Sequence, residues 1–325
     1  MIFQTNRFLN YFFFILYHMD EKYLKMLKGL DNLGDAISLL DVFLDYCGDI
    51  IYYHHYDPVC TQREADARMI FQMFFSKALH FKHMLKGVGF NNGNFILNTI
   101  VDPTLLFTLL RNQYECLCLF ELINMIPNSD DKKDFLSLIH QISGLKYRQR
   151  FKEQATTPES QSICLEEAAE IEHDMDKIYS SSVYQNLSQM SKDKVRLAIK
   201  HKEFQLFFKS DSEIQKLGWK DFANKFGMKK GCVDNLYTYL CLNAHPSYPS
   251  IRQFGDAFKK NEPEFIKMAV FAAQTFIIFM SVFVVDYMRM FPNVLDIFKK
   301  LNLDKQELLI AYNDIFREEQ YKANF

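Results

Sequence analysis

The sequence predicts an all-α fold, a single multi-helix bundle around one buried apolar helix near the C-terminus. Three observations carry this. Apolar residues recur at helical spacing along most of the chain. No stretch shows sustained period-two alternation with β-branched enrichment and hairpin turns, so no sheet is expected. The 325 residues include only 11 Gly and 8 Pro against 32 Phe and 17 Tyr, too few turn residues for a Rossmann-type or barrel enzyme. At 49% hydrophobic and 24% charged, disordered and fibrous classes are excluded.

At the N-terminus, Tyr11 to Tyr17 is an apolar run followed by His18-Met19-Asp20-Glu21-Lys22 rather than by a small-residue cleavage site. Met19 reads as a start, which makes residues 1–18 an N-terminal extension or start-site artefact. Leu33, Ile37, Leu40, Leu44 and Cys47 then trace one face of a helix. Proline at a first helical position marks further starts at Asp57-Pro58, Asp102-Pro103 and Thr157-Pro158. Asn91-Asn92-Gly93-Asn94 is a turn, and residues 153–162 (EQATTPESQS) form an exposed linker. Ser250 and Gln253 have capping-box spacing. Leu308, Tyr312 and Ile315 belong to a last helix.

Met268 to Val285 runs for eighteen residues without a charge, the lower length for a membrane span. Gln274, Thr275 and Ser281 interrupt it, and charges flank both ends without bias. It is expected to be the central helix of the bundle, apolar all round because buried all round, and no membrane partner is expected. The breaks do not separate self-sufficient halves, so residues 1–325 are read as a single all-helical domain.

The seven cysteines are odd in number and contain no C-x-x-C pair, which suits reduced thiols and a cytoplasmic location. A net charge of -2 gives the whole-molecule field no bias toward polyanions. No phosphate-loop, dinucleotide or nucleophile-elbow motif occurs, so no cofactor is expected. Glu170-x-x-His173 is a single copy of a motif that di-iron bundles need twice, with two further Glu. His80-x-x-His83 and His54-His55 lack carboxylates at ligand spacing, so no metal is expected either. A homo-oligomer is compatible with the composition.

Two constellations carry candidate chemistry. On the apolar helix from Pro103 to Met125, Thr104, Thr108, Arg111 and Glu115 share one face. The stripe is either a solvated face with an i,i+4 pair or the lining of an internal cleft, where an Arg fork could hold phosphate or carboxylate. The second is Tyr237-x-x-Leu240-x-x-x-x-His245-Pro246-Ser247. Pro246 should end the helix carrying Tyr237 and leave His245 at its C-terminus, where the helix dipole favours an imidazolium. Ser247 is the nearest hydroxyl that could serve as a nucleophile. We expect Arg111 and Glu115 to be buried, in a network shared by His245 or Tyr237. A non-catalytic interaction protein would use that network as a polar lock, whereas a binding protein would use it as a ligand site.

Arg111-x-x-x-Glu115 followed by Tyr237-x-x-Leu240-x-x-x-x-His245-Pro246-Ser247 resembles a family of helical bacterial proteins of unknown function. The likeness spans about residues 30–290, with Cys241 where that family tends to have Ser. The family is in turn distantly similar to HEPN (higher eukaryotes and prokaryotes nucleotide-binding) domains, helical proteins that often act as ribonucleases. The resemblance implies binding of a nucleic acid or another phosphate-bearing ligand, in a bacterial-defence setting. It implies ligand contacts at Arg111, Glu115, Tyr237, His245 and Ser247. HEPN ribonucleases use R-x(4–6)-H; no Arg stands at that spacing before His245, whereas Arg196 and His201 match it. The catalytic candidates are therefore His245, Arg196 and His201.

A third reading concerns residues 220–240, where Ala223, Gly227, Val233 and Leu236 have the spacing of a helix-turn-helix core. Lys229, Lys230 and Asn235 are the residues there that could touch DNA.

Overall fold

The computed structural model describes residues 32–259 and 263–325. The N-terminal run Tyr11–Tyr17 and the start-like Met19 lie outside the described residues. The fold is all-α, 73% helical with 13 α-helices among the described residues. They are α1 (Leu33–His54), α2 (Gln62–Met84), α3 (Pro103–Phe120), α4 (Asp130–Arg148), α5 (Pro158–Ser180), α6 (Ser182–Gln185), α7 (Gln189–His201), α8 (Phe222–Lys225), α9 (Leu236–Ala244), α10 (Tyr248–Lys259), α11 (Pro263–Met290), α12 (Leu295–Lys299) and α13 (Leu303–Phe316). The chain forms two compact units, one of residues up to Cys118 together with Ala223–Phe325, the other Leu119–Phe222.

Two short antiparallel hairpins depart from the expectation of no sheet. β1 (Val88–Asn91) pairs with β2 (Ile96–Ile100), and β3 (Leu206–Phe208) pairs with β4 (Ile214–Lys216). Strands of three to five residues are too short to leave an alternation signal. The first hairpin turns at the Asn-rich segment, where Gly93 takes φ +84°. It is joined to α2 through Gly87, at φ +68°, where any Cβ would stand 2.7 Å from the Ile100 carbonyl oxygen. Its Val88, Phe90, Phe95 and Ile96 side chains are exposed.

In the first unit α11 is the axis. From Ala272 to Met288 every residue is buried, so the segment 265–290, long and apolar enough to cross a membrane, has its apolar surface covered by neighbouring helices. α2 stacks Phe81 on Phe276, Phe74 on Phe283 and Phe71 on Tyr287, each at 4.2 Å between ring centroids. Residue numbers fall on one helix as they rise on the other, so the two are antiparallel. α3 places Phe107 beside Phe271 and Tyr114 beside Phe279, in parallel register. α13 docks through Ser281, whose Oγ donates to Leu309 O at 2.6 Å and accepts from Asn313 N at 3.0 Å. The polar interruptions thus sit where a neighbouring backbone needs them, which is how hydroxyls are tolerated in a core.

Two helix starts differ from expectation. α2 begins at Gln62 under a Thr61 cap, not at Pro58. The Arg68 guanidinium collects the carbonyls of Asp57 (2.9 Å) and Pro58 (3.0 Å), which holds that segment off the helix. α10 is capped by Ser247, whose Oγ accepts from Ser250 N at 3.2 Å, rather than starting at Ser250. Pro103 and Pro158 do open helices, capped by Asp102 and Thr157.

In the second unit α4 packs against α5 and α7, and α7 against β4. Phe135 meets Phe208, His140 meets Phe204, and the Lys132 ammonium donates to Asp211 at 2.6 Å. Residues 153–162 are largely exposed and join α4 to α5 within this unit, their second half forming the capped first turn of α5. Arg196 is exposed and paired with Asp193 at 3.0 Å, and His201 is exposed at the end of α7. Five residues along a helix point these two side chains to different faces.

His54, 3% exposed, closes α1 with its Nδ1 3.0 Å from the Tyr287 hydroxyl. Burial, and then the nearby Arg68 charge, lower its imidazole from the ordinary 6.5 to about 4, against an opposing pull from Asp57. The unfolded chain takes up a proton here near pH 6.5 that the folded chain refuses until about pH 4, so stability falls as pH drops through that window. Chemical denaturation of the wild type and His54→Gln at pH 7 and pH 4.5 (about the ends of the window) should show the larger loss in the wild type. Equal losses would show that His54 is not held neutral.

Candidate functional site

The connection from Phe226 to Asn235 decides where α9 lies. Gly227 takes φ +80° with its α-carbon against the Tyr321 ring, where a Cβ would stand 2.1 Å from a ring carbon. The Arg317 Nε donates to Phe226 O at 2.7 Å, Glu318 N to Gly227 O at 2.8 Å, and Lys229 N to Phe316 O at 2.8 Å. Asn235, at φ +60°, then turns the chain into α9. The ten-residue path replaces the short turn of a helix-turn-helix, and α8 has only four residues. Ala223, Val233 and Leu236 are buried as expected of docking positions, but they dock onto this unit's own core. The helix-turn-helix spacing expected for residues 220–240 thus meets a longer connection and a shorter first helix than that motif has.

α9 crosses α3 through Tyr239 on Phe107 (5.4 Å) and Tyr237 on Tyr114 (5.6 Å). This brings Arg111, Glu115, Tyr237 and His245 together across more than a hundred residues of sequence. Arg111 Nε donates to Glu115 Oε1 at 2.9 Å, and Tyr237 OH donates to the same oxygen at 2.8 Å. Arg111 Nη1 lies 2.9 Å from His245 Nε2. A guanidinium can only donate, so Nε2 accepts and the imidazole proton sits on Nδ1. The guanidinium carbon also stands 5.3 Å from the Tyr237 ring centroid.

Electrostatics hold Arg111 and Tyr237 in their protonated forms. Burial alone would lower the Arg111 value, but the hydrogen bond and charge of Glu115 outweigh it and raise it. Burial, then the bond to Glu115, raise the Tyr237 phenol. The site at rest is therefore a guanidinium, a phenol acting as donor, and an imidazole engaged as acceptor.

The network is half-buried, not sealed as the sequence reading expected: Arg111 is 26% exposed and Glu115 24%. The apolar face of α3 looks to α11, and the Arg111 face borders a cleft of about 630 Å3. Its walls include His80 and His83 from α2, Thr108 and Asn112 from α3, and His245 at the end of α9. His80 and His83, read in sequence only as a weak metal pair, join the site because i,i+3 spacing puts both on one face of α2. Asn112 carried no sequence signal. Among the described residues no group of three or more His, Cys, Asp or Glu is disposed to hold a metal.

Ser247 is not among the cleft-lining residues. Its Oγ donates to Leu242 O at 2.8 Å and caps α10, while Ser250 Oγ donates to His245 O at 2.8 Å. These bonds fix the His245 backbone after Pro246 ends α9, as the sequence reading expects, and they engage the Ser247 hydroxyl in the α9–α10 turn. Cys241 lies one turn before His245, close enough to Arg111 and Tyr237 to act on their charge states.

Neither family models, nor curated proteins, nor solved structures show a match to this chain.

A pair that is three-quarters buried at a cleft edge lies between an exposed pair, worth roughly 0–1 kcal/mol, and a sealed one, whose disruption costs about 3–5 kcal/mol. Arg111→Met should destabilise the fold by about 1–2 kcal/mol, and Glu115→Leu added to it should recover part of that loss. Denaturant titration of both singles and the double supplies the coupling. Strictly additive losses would show that the two side chains do not act as a pair.

Proposed function

We propose that the α2–α3–α9 cleft binds a phosphate-bearing ligand, with single-stranded nucleic acid as the ligand class that the HEPN-like resemblance favours. The observation that carries the reading is the Arg111 guanidinium, fixed by Glu115 and Tyr237 at the edge of an open cleft. Glu115 and His245 occupy its Nε and Nη1, and among the described residues Nη2 makes no hydrogen bond. That leaves one edge of a planar, permanently charged fork for phosphate oxygens, the geometry in which Arg outperforms Lys. His80, His83 and Asn112 supply further donors around the cleft, and Met84, Leu105 and Leu109 supply apolar wall for a base or sugar.

The site is primarily a binding site at rest, because His245 accepts from Arg111 and cannot also accept a substrate proton at Nε2. A phosphate that draws Arg111 onto itself releases Nε2, which is the route by which His245 could serve as a base. Arg196 and His201 have no such arrangement, with Arg196 committed to Asp193. The seven cysteines, all unpaired, support a cytoplasmic setting.

The mutual pairing of all four side chains favours a second reading, a polar lock that ties α9 to α3 and binds nothing. One experiment separates the two. Fluorescently labelled single-stranded RNA is titrated into the full chain, with inorganic phosphate and a nucleoside monophosphate as competitors. Binding that the competitors reverse and that Arg111→Lys weakens by about tenfold or more, with Arg196→Ala unaffected, is the expected result. Absence of binding by the RNA and by both small probes, with Arg111→Lys lowering only thermal stability, would leave the lock.

A further inference from the structure

A second cavity in the first unit, of about 350 Å3, lies between α1, α2 and α11, apart from the Arg111 cleft. Its walls are mostly apolar, with Ile50, Ile51, Val59, Ala65, Met69 and Phe71 around it. Five polar side chains also border it: His54, His55, Arg68, Gln72 and Tyr287. The size is at the small end for ligand sites, and the pattern of an apolar body with a few fixed polar groups is the usual one.

Two buried polar atoms here have no partner among the described residues, Nε2 of His54 and Nε of Arg68. A buried donor left unmet carries its full desolvation penalty, so each calls for an occupant. The Arg68 guanidinium is immobile. Its Nη1 donates to the carbonyls of His54 (3.1 Å) and Asp57 (2.9 Å), and its Nη2 to Pro58 O at 3.0 Å. Every one of those acceptors is neutral, and among the described residues no carboxylate forms an ion pair with Arg68; Asp57, whose carbonyl it binds, places its carboxylate against His54 and Asn293.

The tautomer of His54 follows from its neighbours. Asp57 Oδ2 stands 3.8 Å from Nε2, beyond a hydrogen bond but close enough to favour a proton on that nitrogen. Tyr287 OH then donates to Nδ1 across 3.0 Å. The Asp57 oxygen itself is taken up by the Asn293 side-chain amide. Two of the N–H groups beside the apolar chamber thus lack a protein acceptor, and one of them belongs to a fixed cation.

We propose that this cavity is a binding site for a small monocarboxylate with an apolar body, its oxygens accepting from Arg68 Nε–H and His54 Nε2–H and its hydrocarbon part lying against Ile50, Val59, Met69 and Phe71. The carboxylate supplies an ion-pair partner for Arg68, and the volume of about 350 Å3 admits a phenyl or short branched chain. A neutral hydrogen-bonding molecule meets the same two donors but leaves the guanidinium without an ion-pair partner, so it binds less well.

The test titrates the full chain with benzoate and hexanoate, and with benzyl alcohol, hexan-1-ol and hexylamine as matched controls. Thermal shift is read together with the ring signal of His54 in ring-13C-histidine NMR, assigned with His54→Gln. The carboxylates should raise the melting temperature and move the His54 signal, with affinity about tenfold or more above that of the alcohols. Arg68→Lys, which keeps the charge but lacks Nε, should weaken carboxylate binding. Met69→Trp, placing a ring at an exposed edge of the cavity, should abolish it without unfolding the chain. Arg111→Lys should leave it unchanged, which keeps this site distinct from the phosphate cleft. Equal binding of acids and alcohols, no movement of the His54 signal at millimolar carboxylate, or binding that survives Met69→Trp would each overturn the proposal.

Discussion

Arg317 carries a full charge to a position with no solvent exposure, and three separate segments supply acceptors for its Nη1 and Nε. Its Nη1 donates to Asp286 Oδ2 and to Asn313 Oδ1, its Nε donates to Phe226 O, and its guanidinium carbon lies 4.4 Å from the Tyr321 ring centroid. Asp286, 1% exposed and near the C-terminal end of the aromatic α11, takes a second bond from Arg289 at 2.6 Å. Arg289 in turn donates to the carbonyls of Tyr321 and Lys322. A buried pair of this kind gains little net stability against an apolar substitute, but removing one member leaves an unpaired charge in the core. Its value here is positional. Three segments distant in sequence, α11, the end of α13 and the Phe226–Asn235 path, are brought to one point.

From that point the functional geometry follows. The path leaving Phe226 is held along the strand-like start of the C-terminal tail, through Gly227, Met228 and Lys229 against Phe316, Arg317 and Glu318. It can then turn at Asn235 and lay α9 across α3, where Tyr237 reaches Glu115 and His245 reaches Arg111. The cleft therefore depends on a network it does not contain. Its residues come from helices whose own stability derives from the ring stacking of α2 and α3 on α11, a rigid base on which a fixed guanidinium can be presented.

The parts of this that were legible in the sequence are those written in local patterns. Helical spacing placed Leu40, Leu44 and Cys47 on the buried face of α1, and the uncharged run from Met268 on the central helix. Pro246 ended α9 with His245 at its cap, because a proline stops a helix wherever it falls. The association of Arg111 with Glu115 was readable at i,i+4, and a share of Tyr237 or His245 in their network was expected because that helix too carries apolar residues at helical spacing. Burial was not readable, since a polar stripe looks the same on a cleft wall as inside a core. The Asp286–Arg317 pair, thirty-one residues apart and joining α11 to the residue just past α13, had no local signature at all. Pro58 misled because the tertiary pull of Arg68 on its carbonyl outweighed a local preference for helix initiation. The hairpins were missed because strands this short are specified by their turns more than by their side-chain alternation.

The most direct measurement of this account is residue-resolved amide hydrogen exchange on the wild type and on Arg317→Lys, which keeps a charge for Asp286 but cannot also reach Phe226 O and Asn313 as a planar fork. Protection should fall by about tenfold or more in Met228–Ala244, with α1, α2 and the centre of α11 retaining theirs. Unchanged protection in α9, or a uniform loss through every helix of the unit, would contradict the claim that this one guanidinium sets the position of the functional helix.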